Sequence, residues 1–536
     1  MKNILVILGL GLGLSNAFGQ TRVTDINTSG SSSPFTLTAL GDHLYFGAST
    51  PATGNEPYQL DSAGNVILLG EIRTGAPSSF PRGFAEANGQ IYFLASIANP
   101  APGQNNVELF KYDHNTITQI LVQGSNHAFK LPPSNRLTSY DDKIIVGHHD
   151  HLSNFGAEPY FYDGVGNFLK ILVDINPNST SSLPDDFIEW NGVLYFTAIN
   201  HNFGFELFSY DGTTVTLETD IAPGPLNGLP NSTSFTPTPR FIVYNNNLYF
   251  AASTGTPNEM GLYKFDGIHA PVLVSNTSNY RSIHRFYEVN NTLILVATDS
   301  NFQNHMYTYD DIHKEQILSD TLINNGVVSN NKIMFIRTDS ATGTELWECD
   351  GIHKPQLVAD LNPGTASSFS LSTASKFDQN VSFENKFYFS ANDGQSGNEL
   401  WLYDGINPPT QVADIHPNGD SNPLDFTLFN NDLYFTADDG INGIEIWRLN
   451  QDPLAVNNRA PMLFNLHPNP ATEFVQIDTQ EEIQEIKIMD LTGKLVYSAT
   501  SPDTKINVSH LANGAYIFHI SLPSGLRSQK VIISDH

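Results

Sequence analysis

The heptapeptide Glu399-Leu400-Trp401-Leu402-Tyr403-Asp404-Gly405 returns in variant form along most of the chain, and the architecture follows from that recurrence. The same slot holds Glu56-Pro57-Tyr58, Glu108-Leu109-Phe110, Glu158-Pro159-Tyr160, Glu206-Leu207-Phe208, Gly261-Leu262-Tyr263, His305-Met306-Tyr307, Glu345-Leu346-Trp347 and Glu445-Ile446-Trp447. A second phrase precedes each copy, as in Leu194-Tyr195-Phe196, Leu248-Tyr249-Phe250, Phe387-Tyr388-Phe389 and Leu433-Tyr434-Phe435. The residues closing the phrase are Asp61, Asp113, Asp163, Asp211, Asp266, Asp310, Asp350, Asp404 and Asn450, so spacings run from 40 (Asp310 to Asp350) to 55 (Asp211 to Asp266). A period of roughly 40 to 50 residues is that of four-stranded propeller blades.

Within one period four strands are predicted: one including Ile188 to Asn191, then Val193 to Ala198, Glu206 to Tyr210 and Thr214 to Ile221. The second strand is apolar on successive residues, so both of its faces must be covered. Units stacked face to face supply that cover. Asp-Gly pairs at Asp163, Asp211, Asp266, Asp350 and Asp404 predict tight hairpins between the third and fourth strands. The last unit stops after Glu445 to Asn450 without a fourth strand, while Arg22-Val23-Thr24-Asp25-Ile26 reads as a fourth strand with no unit before it. Joining the two closes the ring and hides two aggregation-prone edges. The fold class is therefore all-β: a single propeller of nine four-stranded blades closed by the N-terminal strand. Eight is the alternative if the weak copy at His305 to Asp310 is not a unit.

These phrases, most fully Asn398 to Gly405, resemble the ELWxxDGT repeat of exported proteins from Bacteroidota over about Gln20 to Asn450. The resemblance implies no particular activity. Pro57 and Pro159 depart from its Leu, and its final Thr survives at Thr213.

At the N-terminus, Lys2, an apolar run from Ile4 to Leu14 and the small-residue pattern Ala17-Phe18-Gly19 read as a secretory signal peptide cut between Gly19 and Gln20. The run is well short of the roughly 20 residues a spanning helix requires, and no later segment qualifies. Residues 1–19 are thus the leader, 20–450 the repeat array and 451–463 a linker rich in Pro and Asn. Residues 464–536 form a small antiparallel sandwich of short strands: Phe474 to Ile477, Ile483 to Met489, Lys494 to Tyr497, Ile506 to Val508, Ala515 to Ile520 and Ser528 to Ile533.

This last segment is similar to the type A C-terminal sorting domain of the type IX secretion system. The matching residues are Pro468-Asn469-Pro470, Ile488 through Asp490 with Gly493-Lys494, then Asn507, Val508, Ser509, Leu511, Gly514, Tyr516 and Lys530. His467 stands where the pattern carries Tyr. The resemblance implies transport from periplasm to cell surface by the outer-membrane translocon, followed by removal of the domain by a sortase-like peptidase.

The balance of 26 basic against 55 acidic residues, −29 in all, lacks the footprint of phosphate neutralisation, which argues against nucleic acid as a partner. Cys349 is the single cysteine, so no intrachain disulfide forms; it reads as a small buried substitute for the Tyr210 or Tyr403 of other copies.

His148-His149-Asp150-His151 is the densest group of metal-ligand types, yet a closed zinc site takes about four ligands, and a solvated loop is the preferred reading. His269, His313 and His353 recur in register and read as surface turn residues. The loops at Asp393 to Glu399 and Asp439 to Glu445 have the composition of calcium loops without the EF-hand spacing; hairpin turns are expected, with weak calcium binding the one cofactor left open. No catalytic, cofactor or metal residue is assigned. Arg281, His284 and Arg285 break the Pro-Gly-Ser-Ser type of connection seen after other fourth strands, a departure where a binding site or simple loop drift can reside.

The leading expectation is a non-enzymatic, surface-displayed or secreted binding module for a glycan or protein ligand. A carbohydrate-active enzyme, glycosidase or lyase, working on the propeller face is the alternative, and an adhesion protein a third.

Overall fold

The computed structural model describes residues 19–98, 105–122, 137–150, 156–177, 180–230, 241–255, 259–275, 280–311, 314–319, 326–370, 380–450, 465–467, 471–479, 483–490, 494–500, 503–522 and 525–534. Every helix-or-strand element among them is a β-strand. The chain divides into two compact parts, Met1–Gln451 and Asp452–His536.

Among the described residues of the first part the strands form five four-stranded and two eight-stranded sheets, and each eight-stranded sheet consists of two successive four-stranded runs. The runs occupy residues 35–68, 82–122, 138–171, 185–217, 241–273, 280–319, 326–359 and 381–413, and a last one combines 424–450 with 19–22. They are called repeats one to nine below. Repeat four shows the pattern: Asp185–Trp190, Val193–Asn200, Gly204–Tyr210 and Val215–Leu217 pair antiparallel in chain order. Its fourth strand stops short of the expected Ile221 because Thr219 and the Ile221 N–H turn inward to bind Glu206. Repeat six, which carries the weak His305 copy, is four-stranded as well.

The first turn of each repeat has a cause the composition hides. Asn245-Asn246, Asn290-Asn291, Asn330-Asn331 and Asn430-Asn431 all take positive φ at both positions, between 46° and 63°. That is the type I′ geometry that matches strand twist, and Asn tolerates it. The Asp-Gly pairs work differently from expectation. The glycine takes positive φ, as at Gly267 (81°), while the aspartate stays outside the loop and its Oδ1 accepts the next two free N–H groups, Ile268 at 2.9 Å and His269 at 2.8 Å.

The successive apolar residues of the second strand divide between neighbours. Leu194 and Phe196 pack with Tyr140 and Ile145 of repeat three, whereas Tyr195 packs with Phe250 and Phe265 of repeat five. Among the described residues, each of nine apolar clusters in this part joins two consecutive repeats, and one of them joins Phe429, Tyr434 and Ile446 of repeat nine to Leu44, Phe46 and Tyr58 of repeat one. Within repeats, the Phe of the second strand stacks on the aromatic ring of the recurring phrase, as in Phe93 with Phe110 at 5.7 Å and Phe196 with Phe208 at 5.9 Å.

The N-terminal strand lies where the unpaired end of repeat nine required a partner. Gly19–Arg22 pairs antiparallel with Ile444–Asn450, Gly19 opposite Asn450 and Arg22 opposite Trp447. It sits earlier than the expected 22–26, because Thr24 leaves the ladder to bond Glu445.

In the second part, Asn465–His467, Phe474–Asp478 and Lys505–Asn507 make one sheet, and Leu495–Thr500, Glu485–Asp490, Gly514–Leu522 and Gly525–Ile533 another. The first of these strands was not anticipated from the sequence. Leu466, Val475, Ile477 and Ile506 from one sheet share a core with Ile486, Ile488, Phe518, Ile520 and Val531 from the other.

Candidate functional site

The recurring glutamate is the natural place to look for chemistry, and its geometry is structural. Glu56, Glu108, Glu158, Glu206, Glu345, Glu399 and Glu445 are fully buried. Glu158 accepts the N–H groups of Ile175 and Ser182, both at 3.0 Å, and the Ser182 hydroxyl at 2.6 Å. Glu399 repeats this with Ile415 N, Ser421 N and Ser421 Oγ at 2.8, 3.0 and 2.6 Å, and Glu345 with Leu361 and Ser368. Each carboxylate thereby ties down the connection leaving its own repeat. Burial pushes Glu158 and Glu206 up to about 7 against the lowering effect of these donors, and Glu56, Glu345 and Glu399 in the same direction.

Repeats five and six abandon the device. At Gly261 a Cβ would meet Leu273 Cδ1 at 2.2 Å, so Leu273 occupies the room a glutamate needs. Without a carboxylate to hold it, the following connection joins the sheet directly, Met260 pairing with Tyr280, and the first strand of repeat six lengthens to Tyr280–Val289. That extension carries Arg281, His284 and Arg285. In repeat six the glutamate slot holds His305, whose Nε2 lies 3.5 Å from Asp299 Oδ2.

On and around this extension lie two sets of side-chain contacts. The Arg281 guanidinium lies 4.3 Å over the ring of Phe302, which is 65% exposed and held at φ 64°. The turn beneath is fixed by Asp299, whose Oδ1 accepts Asn301 N at 2.9 Å and Gln303 N at 2.8 Å. His284 Nε2 bridges Ser282 Oγ at 3.1 Å and Thr298 Oγ1 at 2.7 Å, and Thr298 Oγ1 donates to Asn304 Oδ1 at 2.7 Å. Crowding by protein, and secondly the charge of Arg285, hold the His284 imidazole below its usual pKa although one edge is exposed. Arg285 itself is buried. In repeat seven Arg337 replaces the alanine that other repeats place opposite the glutamate (Ala48, Ala198, Ala437), and it stacks 4.4 Å from Trp347. Phe302 and Arg337 were not singled out from the sequence; an aromatic at a turn tip and an arginine in an alanine register are the signals that mark them.

The other candidates resolve separately. His269 and His353 are exposed turn residues, each with Nδ1 2.8 Å from the aspartate of its own turn, and His313 lies outside the described residues. His151 also lies outside them, and only the backbone of His148, His149 and Asp150 is described. Asp393 and Asp439 spend their Oδ1 atoms on backbone N–H groups two and three residues on, as hairpin turns require. Cys349 is buried, which pushes its thiol up to about 11. Among the described residues no group of three or more His, Cys, Asp or Glu is placed to hold a metal ion.

In the second part, Tyr516 belongs to the core and bonds Ala512 O at 2.9 Å, and Leu511 packs against that core. Asn507 Oδ1 caps the N–H of Ser509 at 3.0 Å, turning the chain so that Val508 is buried. Gly514 opens the strand Gly514–Leu522, and Lys494 immediately precedes Leu495–Thr500. Pro468, Asn469, Pro470 and Gly493 lie outside the described residues, and only the backbone of Asp490 and Lys530 is described.

Residues 465–534 match the family described as secretion system C-terminal sorting domain. This segment marks the chain for the type IX machinery and hence for export across the outer membrane, to the cell surface or the medium. No helix among the described residues is long and apolar enough to cross a membrane. No curated protein sequence matches the chain. Among solved structures it is similar to PorZ, a surface component of the type IX secretion system of Porphyromonas gingivalis, at 13% identity and a TM-score of 0.36, covering 92% of this chain and 64% of that one. The designed protein Ika8 matches at 13% identity and 0.35, covering 78% and 97%, and a prolyl endopeptidase at 8% and 0.36, covering 69% and 54%. The chain thus spans less than two thirds of PorZ.

Proposed function

We propose that the exported chain is a nine-bladed β-propeller, closed by its own N-terminal strand, that acts outside the cell as a non-enzymatic binding module. The apolar clusters joining consecutive repeats, the last to the first included, and the pairing of Gly19–Arg22 with Ile444–Asn450 support the closed ring. The recurring phrase supports kinship with ELWxxDGT-repeat proteins. Residues 1–19 serve as leader, 464–536 address the chain to the translocon and a sortase-like peptidase, and the ligand is an extracellular glycan or protein.

One observation favours binding over hydrolysis. A glycosidase needs two available carboxyl groups some 5 to 9.5 Å apart across a substrate. Here the recurring carboxylates are buried on separate repeats, and those of Glu56, Glu158, Glu206, Glu345, Glu399 and Glu445 are engaged by backbone donors. The test is fractionation of producing cells with mass spectrometry of the mature termini. Cleavage beside Gly19 and within 451–463, with product on the surface or in the medium, is expected. An intact C-terminus confined to the periplasm contradicts the route, and turnover of a polysaccharide by the purified chain contradicts the non-enzymatic reading.

A further inference from the structure

We infer that the extension of repeat six is the ligand site of this binding module, and that it takes a carboxylate-bearing sugar such as a uronic acid unit of an acidic polysaccharide. The inference rests on the binding reading above and specifies its place and chemistry.

Three observations fall on this extension and the strands next to it. First, the chain carries more than twice as many acidic as basic residues, 55 against 26, yet the described contacts of Arg281 include no carboxylate. Its guanidinium lies over an aromatic ring instead, 4.3 Å from the centroid. An arginine so placed is held in orientation while its N–H edge stays free, and that edge matches a carboxylate with two parallel hydrogen bonds. Second, Phe302 combines 65% exposure with a φ of 64°. A bulky residue in the left-handed region is an outlier, because its Cβ crowds the neighbouring carbonyl, and glycine suits the position better. The turn is held by Asp299 whether or not a ring projects from it, so turn geometry does not account for the aromatic; a stacking surface does. Third, Ser282 and His284 on the extension and Thr298 and Asn304 on the two strands next to it form a hydrogen-bonded polar strip, suited to sugar hydroxyls.

The position in the array agrees. Where other repeats keep a buried glutamate, repeats five and six have Gly261 and His305, and the nearby carboxylate of Asp299 is already engaged, Oδ1 by the Asn301 and Gln303 N–H groups and Oδ2 facing His305. Exposed aromatic rings receive the apolar face of a sugar ring, and a nearby guanidinium then discriminates the acidic from the neutral sugar.

The test is calorimetric titration of the full chain with oligogalacturonate, alongside neutral dextran oligosaccharides and poly-glutamate. Binding of oligogalacturonate that weakens with salt, with dextran and poly-glutamate at least ten-fold weaker, is expected. Phe302→Gly is compatible with the backbone, so it should keep or raise the melting temperature while weakening binding ten-fold or more. Arg281→Lys, which keeps charge but loses the fork, should weaken it several-fold, and Arg281→Ala roughly ten-fold or more. Oligogalacturonate binding unaffected by Phe302→Gly and Arg281→Ala overturns this site while leaving the binding module intact. Equal affinity for dextran overturns the carboxylate, preference for poly-glutamate overturns the sugar, and no binding to any of the three overturns the inference.

Discussion

Thr24 donates its hydroxyl hydrogen to Glu445 across 421 residues of chain, an oxygen to oxygen distance of 2.7 Å in a buried setting. Ser32 N reaches the other carboxylate oxygen at 3.0 Å, so the glutamate of repeat nine does with the N-terminal segment what Glu158 does with its own outgoing connection. Thr24→Ala should cost about 1.5 to 3 kcal/mol, the range for a hydrogen bond to a charged group. Glu445→Gln, which puts an amide against an N–H donor, should cost more. Urea denaturation gives both values, and early proteolytic release of residues 20–30 should accompany them.

Glu158 and Glu206, pushed up to about 7 by burial, fix a pH dependence. In the unfolded chain these groups titrate near 4.5. Between that value and about 7 the folded state holds the extra protons, so stability falls as pH rises through this window. Melting temperature should therefore decline from pH 4.5 to 7.5, and the decline should be shallower in Glu158→Gln and Glu206→Gln. A profile as steep in both variants as in the unaltered chain refutes the assignment.

Gly204 and Gly343 sit where the second strand turns into the third, at φ 73° and 72°. A Cβ at Gly204 would lie 1.9 Å from Leu226 O, and one at Gly343 2.0 Å from Ala366 O. Both obstacles are backbone, which cannot swing aside. Alanine at either position should cost about 2 to 4 kcal/mol, left-handed strain and overpacking together, read as a lower denaturation midpoint.

Phe518 is fully buried in the core of the sorting domain. Phe518→Ala should remove about 3 to 5 kcal/mol from that domain. The expected phenotype is accumulation of uncleaved chain in the periplasm, visible by fractionation. The repeat array should keep its own melting transition in calorimetry.

The period, the two-sided packing and the partner for repeat nine were legible because they depend on residue types that recur: Leu194-Tyr195-Phe196 can be buried in only one kind of stack. The function of Glu206 was not, since its partners Thr219 and Gly228 lie 13 and 22 residues away and look like ordinary loop residues. The type I′ pairs such as Asn330-Asn331 were readable in principle, being the residues that accept positive φ. Of the candidate site in repeat six, Arg281, His284 and Arg285 stood out as a break in pattern. Phe302 did not, because its significance is a backbone angle and an exposure, neither written in the letter F.

The pairing of Gly19–Arg22 with Ile444–Asn450 also governs what becomes of incomplete copies. A product that ends before residue 424 has no acceptor for its opening segment, and repeat one lacks the cover that Phe429, Tyr434 and Ile446 give it. Such fragments present a loose tail and a greasy flank together, the two features by which quality-control proteases and chaperones select their clients. Only a chain made through residue 450 can withdraw both at once.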